Sequence, residues 1–309
     1  MGRPKISVIG AGNVGSNTAL FLFLKDLGDI QLYDIKGDLA AGKALDIMHL
    51  ASIWGTNSKV KGSGDIKDTA DSDLVVITAG KRRTADMSRD DLLLQNAEII
   101  TSLVDTIQQE SPRAHIIMVT NPLDAMTHLA LEISNFSSSR VMGMSGVLDA
   151  GRLAFFIREK QNVALENILT TVLGGHGDSM VPLSSSTFIG GRPLDEVMDS
   201  SSIEEVVERT RRAGGEIIKL MGMSSMYAPA AAVWKMAQAI LRDEKLILPC
   251  SVYLQGQYKL SDVFLSVPVL LGQKGVEEII ELPLDTGDLK ALHNSAEEVK
   301  ELTRKLNIN

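Results

Sequence analysis

This 309-residue sequence holds a single cysteine, Cys250, so it has no internal disulfide and suits a reducing compartment. Excess positive charge is missing too: 31 Lys and Arg stand against 39 Asp and Glu, a net charge of −8. A general nucleic-acid binder needs a basic face, so none is expected. No apolar run approaches the ~20 residues that cross a bilayer. Met1-Gly2-Arg3-Pro4-Lys5 leads directly into a strand without a signal-like apolar stretch, so the chain is expected to be cytoplasmic and off the membrane. Repeats, low-complexity tracts and Cys/His clusters at metal-ligand spacing are also missing, and no metal is expected. What remains is an ordinary globular composition, 44% hydrophobic and 23% charged, at a length that suggests roughly two domains.

What is present begins with a β-branched run, Lys5 to Ile9, then Gly10-Ala11-Gly12-Asn13-Val14-Gly15, then a helix with Leu20, Phe23, Leu24 and Leu27 on its apolar face. Strand, glycine turn and helix with G-x-G-x-x-G spacing let a backbone approach a pyrophosphate, whose charge then sits at the helix N-terminus. A second strand, Ile30-Gln31-Leu32-Tyr33, ends in Asp34, a carboxylate about 20 residues past the last glycine, able to bind ribose hydroxyls and repel a 2′-phosphate. NAD is therefore expected rather than NADP. Further strands near Lys59 to Gly62, Leu74 to Ala79 and Ile116 to Val119 alternate with helices, and nearly continuous apolar strands imply a parallel sheet covered on both faces. This is a doubly wound α/β arrangement of the Rossmann type.

Ligands bind such sheets at the C-terminal strand ends. Asn121 lies at one, where its amide either reaches the nicotinamide side of a cofactor or caps the helix after Pro122. The loop from Gly80 to Asp91 concentrates Lys81, Arg82, Arg83 and Arg89, and reads either as a solvated loop or as a cationic lid over an anionic substrate. Asp149 and Arg152 share one helix face, as a surface ion pair or as a pair with separate tasks. In the second reading Asp149 orients a histidine and Arg152 grips a carboxylate with its two-pronged donors. Ile168 to Leu173 reads as one buried strand running into Gly174-Gly175-His176-Gly177-Asp178. His176 is either a turn histidine or a proton donor and acceptor approached between its glycines.

A helix starts near Gly146, and beyond it the βαβ regularity stops. Phe188 to Arg192 reads as a hairpin, Ser202 to Met221 as a helix, Leu246 to Leu254 and Val263 to Leu271 as β runs, and Leu289, Leu292, Ala296 and Val299 as the stripe of a last helix. The expected organisation is a Rossmann NAD-binding domain over 1–145, followed by an α+β substrate-binding domain over 146–309. His49, His115, His128 and His293 are expected to be structural.

Taken in order, the glycine turn, Asp34, Met87-Ser88-Arg89, Asn121-Pro122, Leu148-Asp149-x-x-Arg152 and Gly174 to Asp178 resemble the lactate/malate dehydrogenase family from end to end. The resemblance is nearest to its lactate-dehydrogenase-like malate dehydrogenases. It implies that His176 donates and accepts the proton, Asp149 partners it, Arg152 binds the substrate carboxylate and Arg89 polarises the carbonyl. Asn121 would contact the reacting group and, with Asn96, Asn13 and Val14, the cofactor. A homotetramer or homodimer is implied as well.

Substrate choice is expected to rest on Arg83, whose position resembles an arginine in malate enzymes and a glutamine in lactate enzymes. Oxaloacetate carries a second carboxylate for this cation, whereas pyruvate would leave it unpaired in a dry site at about 3–5 kcal/mol. The loop Arg82-Arg83-Thr84-Ala85-Asp86-Met87 lacks the family's proline and glycine, and Ser224 or Ser225 stands where the two substrates are often distinguished. The expected reaction is (S)-malate + NAD+ to oxaloacetate + NADH + H+. The alternatives are a lactate or other 2-hydroxyacid dehydrogenase, an NAD-dependent glycosidase, which expects a metal site, and a non-catalytic NAD-binding module, which has no need of Asp149, Arg152 and His176.

Overall fold

The computed structural model describes residues 2–81 and 87–306, apart from the Arg89 side chain. The expectations for Arg83, for the rest of 82–86 and for the Arg89 side chain lie outside the described residues. The first half runs β1 (Lys5–Ile9), α1 (Asn13–Leu24), β2 (Asp29–Tyr33), α2 (Gly37–His49), α3 (Ala51–Trp54), β3 (Val60–Ser63), β4 (Leu74–Ile77), α4 (Arg89–Glu110), β5 (His115–Met118), α5 (Leu123–Ser134) and β6 (Val141–Gly143). Its strands pair in parallel in the order β3-β2-β1-β4-β5-β6. Strand β4, Leu-Val-Val-Ile, is buried at every position because helices cover both faces of the sheet. The strand order reverses between β1 and β4, where such sheets open a ligand crevice. Ile9 pairs with Ile77 there, so the turns leaving both strands share one edge.

The second half runs α6 (Gly146–Gln161), β7 (Ile168–Leu169), β8 (Val172–Gly174), β9 (Met180–Pro182), β10 (Phe188–Ile189), β11 (Arg192–Pro193), α7 (Leu194–Val197), α8 (Ser200–Met221), α9 (Tyr227–Leu241), β12 (Leu246–Gln255), β13 (Ser261–Gly272), β14 (Gly275–Ile279) and α10 (Thr286–Arg304). Strands β12, β13, β8 and β9 extend the parallel sheet in antiparallel fashion, joined to it where Ser251 of β12 pairs with Gly143 of β6. The fold is thus α/β, a doubly wound parallel sheet followed by an α+β half.

Two expectations need correction. The run from Ile168 to Leu173 is not one buried strand: β7 belongs to a small separate sheet with β10 and β11, and β8 belongs to the main one. Thr170 Oγ1 donates to the carbonyl of Ala150 and Thr171 Oγ1 to that of Ser186, so both threonines turn the chain between the sheets, and Leu169 is exposed. Strands β6 and β14 were not foreseen. Each is too short to carry a period-2 signature of its own.

The core crosses from one half to the other. Ile6, Val8 and Leu32 share a cluster with Val252, Leu265 and Leu292, and Leu302 of α10 packs at the edge of a second cluster under α4 and α5. Helix α10 returns to lie on α5, β8, β9 and β13.

Candidate active site

The glycine turn after β1 is held by its own strand neighbours. Gly10 adopts φ +104°, donates its N–H to the carbonyl of Tyr33 at 2.7 Å, and leaves no room for a side chain beside Thr78 Oγ1 and Ala79. A Cβ on Gly15 would run into the carbonyl oxygen of Gly10, so α1 can sit this close to the sheet only with glycine there. A Cβ on Gly12, by contrast, would meet nothing within 4 Å. Gly12 caps α1 without a side-chain bond, and no acidic residue lies in the first turn. That leaves donors and positive dipole end available to an anion. Asp34 accepts from Ala11 N at 2.8 Å through one oxygen and from Lys36 N at 2.9 Å through the other, tying the end of β2 to the glycine turn. Open space over Gly12, an uncapped helix start and a strand-end carboxylate fit a dinucleotide on Gly10, Gly12, Asn13, Val14, Gly15 and Asp34.

Asn96 links the chain after β4 to the chain after β5. It is 1% exposed, and its amide is spent on the backbone. Oδ1 accepts from Lys81 N at 2.7 Å, and Nδ2 donates to the carbonyls of Lys81 and Asn121. A buried side chain with both N–H groups in use braces the Asn121 turn against the Lys81 backbone. Asn121 itself is exposed, and α5 is capped by Pro122, so the capping alternative does not occur.

His176 sits on the turn after β8, a position that only glycines allow. Gly174 has φ +87° and Gly177 φ +111°. A Cβ on Gly175 would lie 2.8 Å from Val299 Cγ2 and 2.9 Å from Ser179 Oγ. Gly175 is therefore small for what packs against it, while Gly177 faces open space as expected. His176 Nδ1 lies 2.8 Å from Asp149 Oδ2, and Arg152 Nη1 donates to Asp149 Oδ1 at 3.2 Å. The Asp149 side chain is 2% exposed and that of His176 16%. Asp149 thus serves a histidine and an arginine at once, which a surface ion pair does not do. With Nδ1–H on the carboxylate, Nε2 is left for another molecule. Arg152 Nε is buried with no partner among the described residues, a donor still to be matched.

The described structure brings in Asp124, which sequence reasoning missed. Its Oδ2 accepts from His176 N at 2.8 Å and its Oδ1 from Ser251 Oγ at 2.6 Å, while Gly175 N donates to Ser295 Oγ at 2.8 Å. A signal existed: α5 is buried almost all round, so an acid within it had to be satisfied inside. Asn96 carried a similar signal, standing on the buried stripe of α4 with Leu93 and Ile100. Burial pulls the His176 pKa down, but the charge of Asp149, its hydrogen bond and the charge of Asp124 outweigh it, against a small opposing effect of Arg152, and the imidazole is left more basic than usual. Burial pushes the Asp124 carboxyl up, against the donors Ser251 and His176 N.

Two further features border the site. Asn13 Nδ2 lies 3.4 Å from Met223 Sδ, which sets the 222–226 loop with Ser224 and Ser225 beside the glycine turn. An apolar cleft of about 540 Å³ between α6, α8 and α9 has Arg152 in its wall, together with Phe155, Leu220 and Trp234. His49, His115, His128 and His293 stay outside these contacts; His293 Nε2 is 2.9 Å from the Tyr258 carbonyl. Among the described residues, no helix is long and apolar enough to cross a membrane.

Comparison with known proteins places this geometry. Residues 4–143 match the family described as lactate/malate dehydrogenase, NAD binding domain, and residues 146–307 match its alpha/beta C-terminal domain. The chain is similar to the malate dehydrogenase of Salinibacter ruber, 48% identical over 94% of this chain and 93% of that one. A solved structure of malate dehydrogenase from the same organism superposes with TM-score 0.94, covering 98% of this chain and 97% of that chain at 46% identity. The lactate dehydrogenase of Cryptosporidium parvum, solved with lactic acid and nicotinamide adenine dinucleotide, superposes with TM-score 0.96 over 100% and 99% of the two chains at 37% identity. On both the matched domains and the full-length relatives, the chain belongs to the lactate/malate dehydrogenase family.

Proposed function

We propose that this chain is an NAD-dependent malate dehydrogenase, interconverting (S)-malate and NAD+ with oxaloacetate, NADH and a proton. The observation that carries the reading is one buried carboxylate, Asp149, engaging His176 on one oxygen and Arg152 on the other. Bound NADH supplies the hydride. Protonated His176 donates from Nε2 to the substrate oxygen, and Asp149 holds the ring orientation and stabilises its cationic form. Arg152 grips the carboxylate next to the reacting carbon in two-pronged fashion, for which its unmatched Nε is suited. Arg89 opens α4, fixed by the reciprocal cap in which Ser88 and Asp91 bond each other, and is assigned to polarise the carbonyl. Arg83 is assigned to the second carboxylate. Asn121, braced by Asn96, completes the cofactor end with Gly10, Gly12, Asn13, Val14, Gly15 and Asp34.

The same reading divides the chain into an NAD-binding domain at 1–145 and a substrate domain at 146–309. It sets the enzyme in the cytoplasm, in the tricarboxylic acid cycle, as a homotetramer or homodimer. Support for assembly comes from apolar side chains left uncovered, Leu45, Ile53 and Trp54 on α2 and α3 and Ile218 and Leu220 on α8. The test of function is NADH oxidation with oxaloacetate and with pyruvate. Oxaloacetate should win in kcat/KM by about 10²-fold or more, and Arg83→Gln should remove most of that preference. Equal use of both substrates by the parent would return the lactate reading.

A further inference from the structure

The proposed reaction accounts for Asp149, Arg152 and Arg89, but Asp124 stands in the same network without a task. It is buried in the first turn of α5, where a negative charge is favoured by the helix dipole, and among the described residues it forms no ion pair. A carboxylate taken out of water without a cation is costly. Its two oxygens meet two other parts of the molecule: Ser251 on β12 and the backbone N–H of His176 on the turn after β8. Three residues upstream on the same chain is Asn121. Asp124 therefore joins the strand end carrying Asn121 to the turn carrying the histidine. We propose that Asp124 is a positioning residue for proton transfer at His176: it fixes the histidine backbone relative to the Asn121 turn and adds a second negative charge that keeps the proton on the ring. This inference rests on the reading of His176 as the proton donor. Among the described residues, the leading charged groups acting on His176 are Asp149 and Arg152 from α6 and Asp124 from α5, whereas β12 and α10 present the uncharged Ser251 and Ser295. Asp124 is among the groups that raise the basicity of His176.

The experiment compares Asp124→Asn and Ser251→Ala with the parent enzyme, following kcat and KM for oxaloacetate reduction against pH and NADH affinity by fluorescence. Asparagine keeps an oxygen for His176 N and loses the charge. Reduction needs protonated His176, so its kcat/KM declines as pH rises through the histidine's pKa. In Asp124→Asn that decline should move to lower pH by about half a unit or more, with NADH affinity unchanged. Ser251→Ala, which weakens the ionised form of Asp124, should move it the same way by less. Should Asp124→Asn fail to fold by circular dichroism, Ser251→Ala decides alone. A decline at the parent's pH in the folded variants, or a loss confined to NADH affinity, overturns the proposal. A parent that does not reduce oxaloacetate, or that keeps full activity as His176→Asn, sinks the underlying reading instead.

Discussion

The turns after β1 and β8 both leave a strand of the same sheet through glycines with positive φ, Gly10 in one and Gly174 in the other. They are nevertheless held in opposite ways. The first is held by close packing on backbone: Gly15 against the Gly10 carbonyl, with Thr78 Oγ1 and Asp34 bonding the backbone of Gly10 and Ala11. The second is held by side chains from three other elements, Asp124 of α5, Asp149 of α6 and Ser295 of α10, each reaching one atom of the Gly175-His176 segment. A turn that binds a cofactor through its backbone needs space and shape. A turn that moves a proton needs a side chain aimed to within tenths of an ångström, and that takes several independent anchors.

The sharpest way to separate the two is to remove the function of one and ask whether the other notices. His176→Asn should lower kcat for oxaloacetate reduction by about 10³-fold while leaving NADH binding intact by fluorescence titration; joint loss would mean that the turns are one cooperative unit. Next in size is a pair at the other turn. Gly15→Ala should cost about 2–3 kcal/mol of stability because nothing there can yield but backbone. Gly12→Ala should melt like the parent and lose only NADH affinity, since its Cβ meets no protein atom. Equal melting of the two variants would break the claim that shape alone holds the first turn.

A smaller effect tests the electrostatics of the second turn. His176 is raised above the ordinary value of 6.5. Oxaloacetate reduction, which needs the protonated ring, should therefore persist past that pH and then fall, while malate oxidation, which needs the neutral ring, should rise over the same interval. Asp149→Asn should bring both transitions down by about a unit or more. An unmoved transition would mean that another group titrates. The least effect is expected at Cys250, buried in the core the two halves share, where burial pushes the thiol far up. Iodoacetamide should leave it unmodified in the native enzyme, as read by mass spectrometry, and label it on unfolding.

The same contrast governs what could be read from sequence. The glycine spacing, Asp34 and the apolar strands are local patterns, and the parallel half came out as expected apart from the short β6. His176, Asp149 and Arg152 each offered a catalytic reading beside a bland one, and the family resemblance favoured the catalytic one. Asp124 was marked only by its place in an apolar helix, and Ser251 and Ser295 by nothing local, until the fold brings residues 124 and 251 within hydrogen-bond distance. The cofactor role of Asn96 came only from the family resemblance, with no local pattern behind it. The surroundings of this side chain are set by α4 turning that face inward. Ile168 to Leu173 misled because a run of apolar and β-branched residues does not say that the chain changes sheets within it.

Helix α10 gives the molecule an order in time. As the chain emerges from a ribosome, β1, β4 and the glycine turn between them are made early, from residues close in sequence. The histidine turn is complete only when the last helix arrives, covers α5 and β13, and brings Ser295 to Gly175 N. The turn proposed to carry the proton thus waits for a longer stretch of chain than the turn proposed to carry the nucleotide.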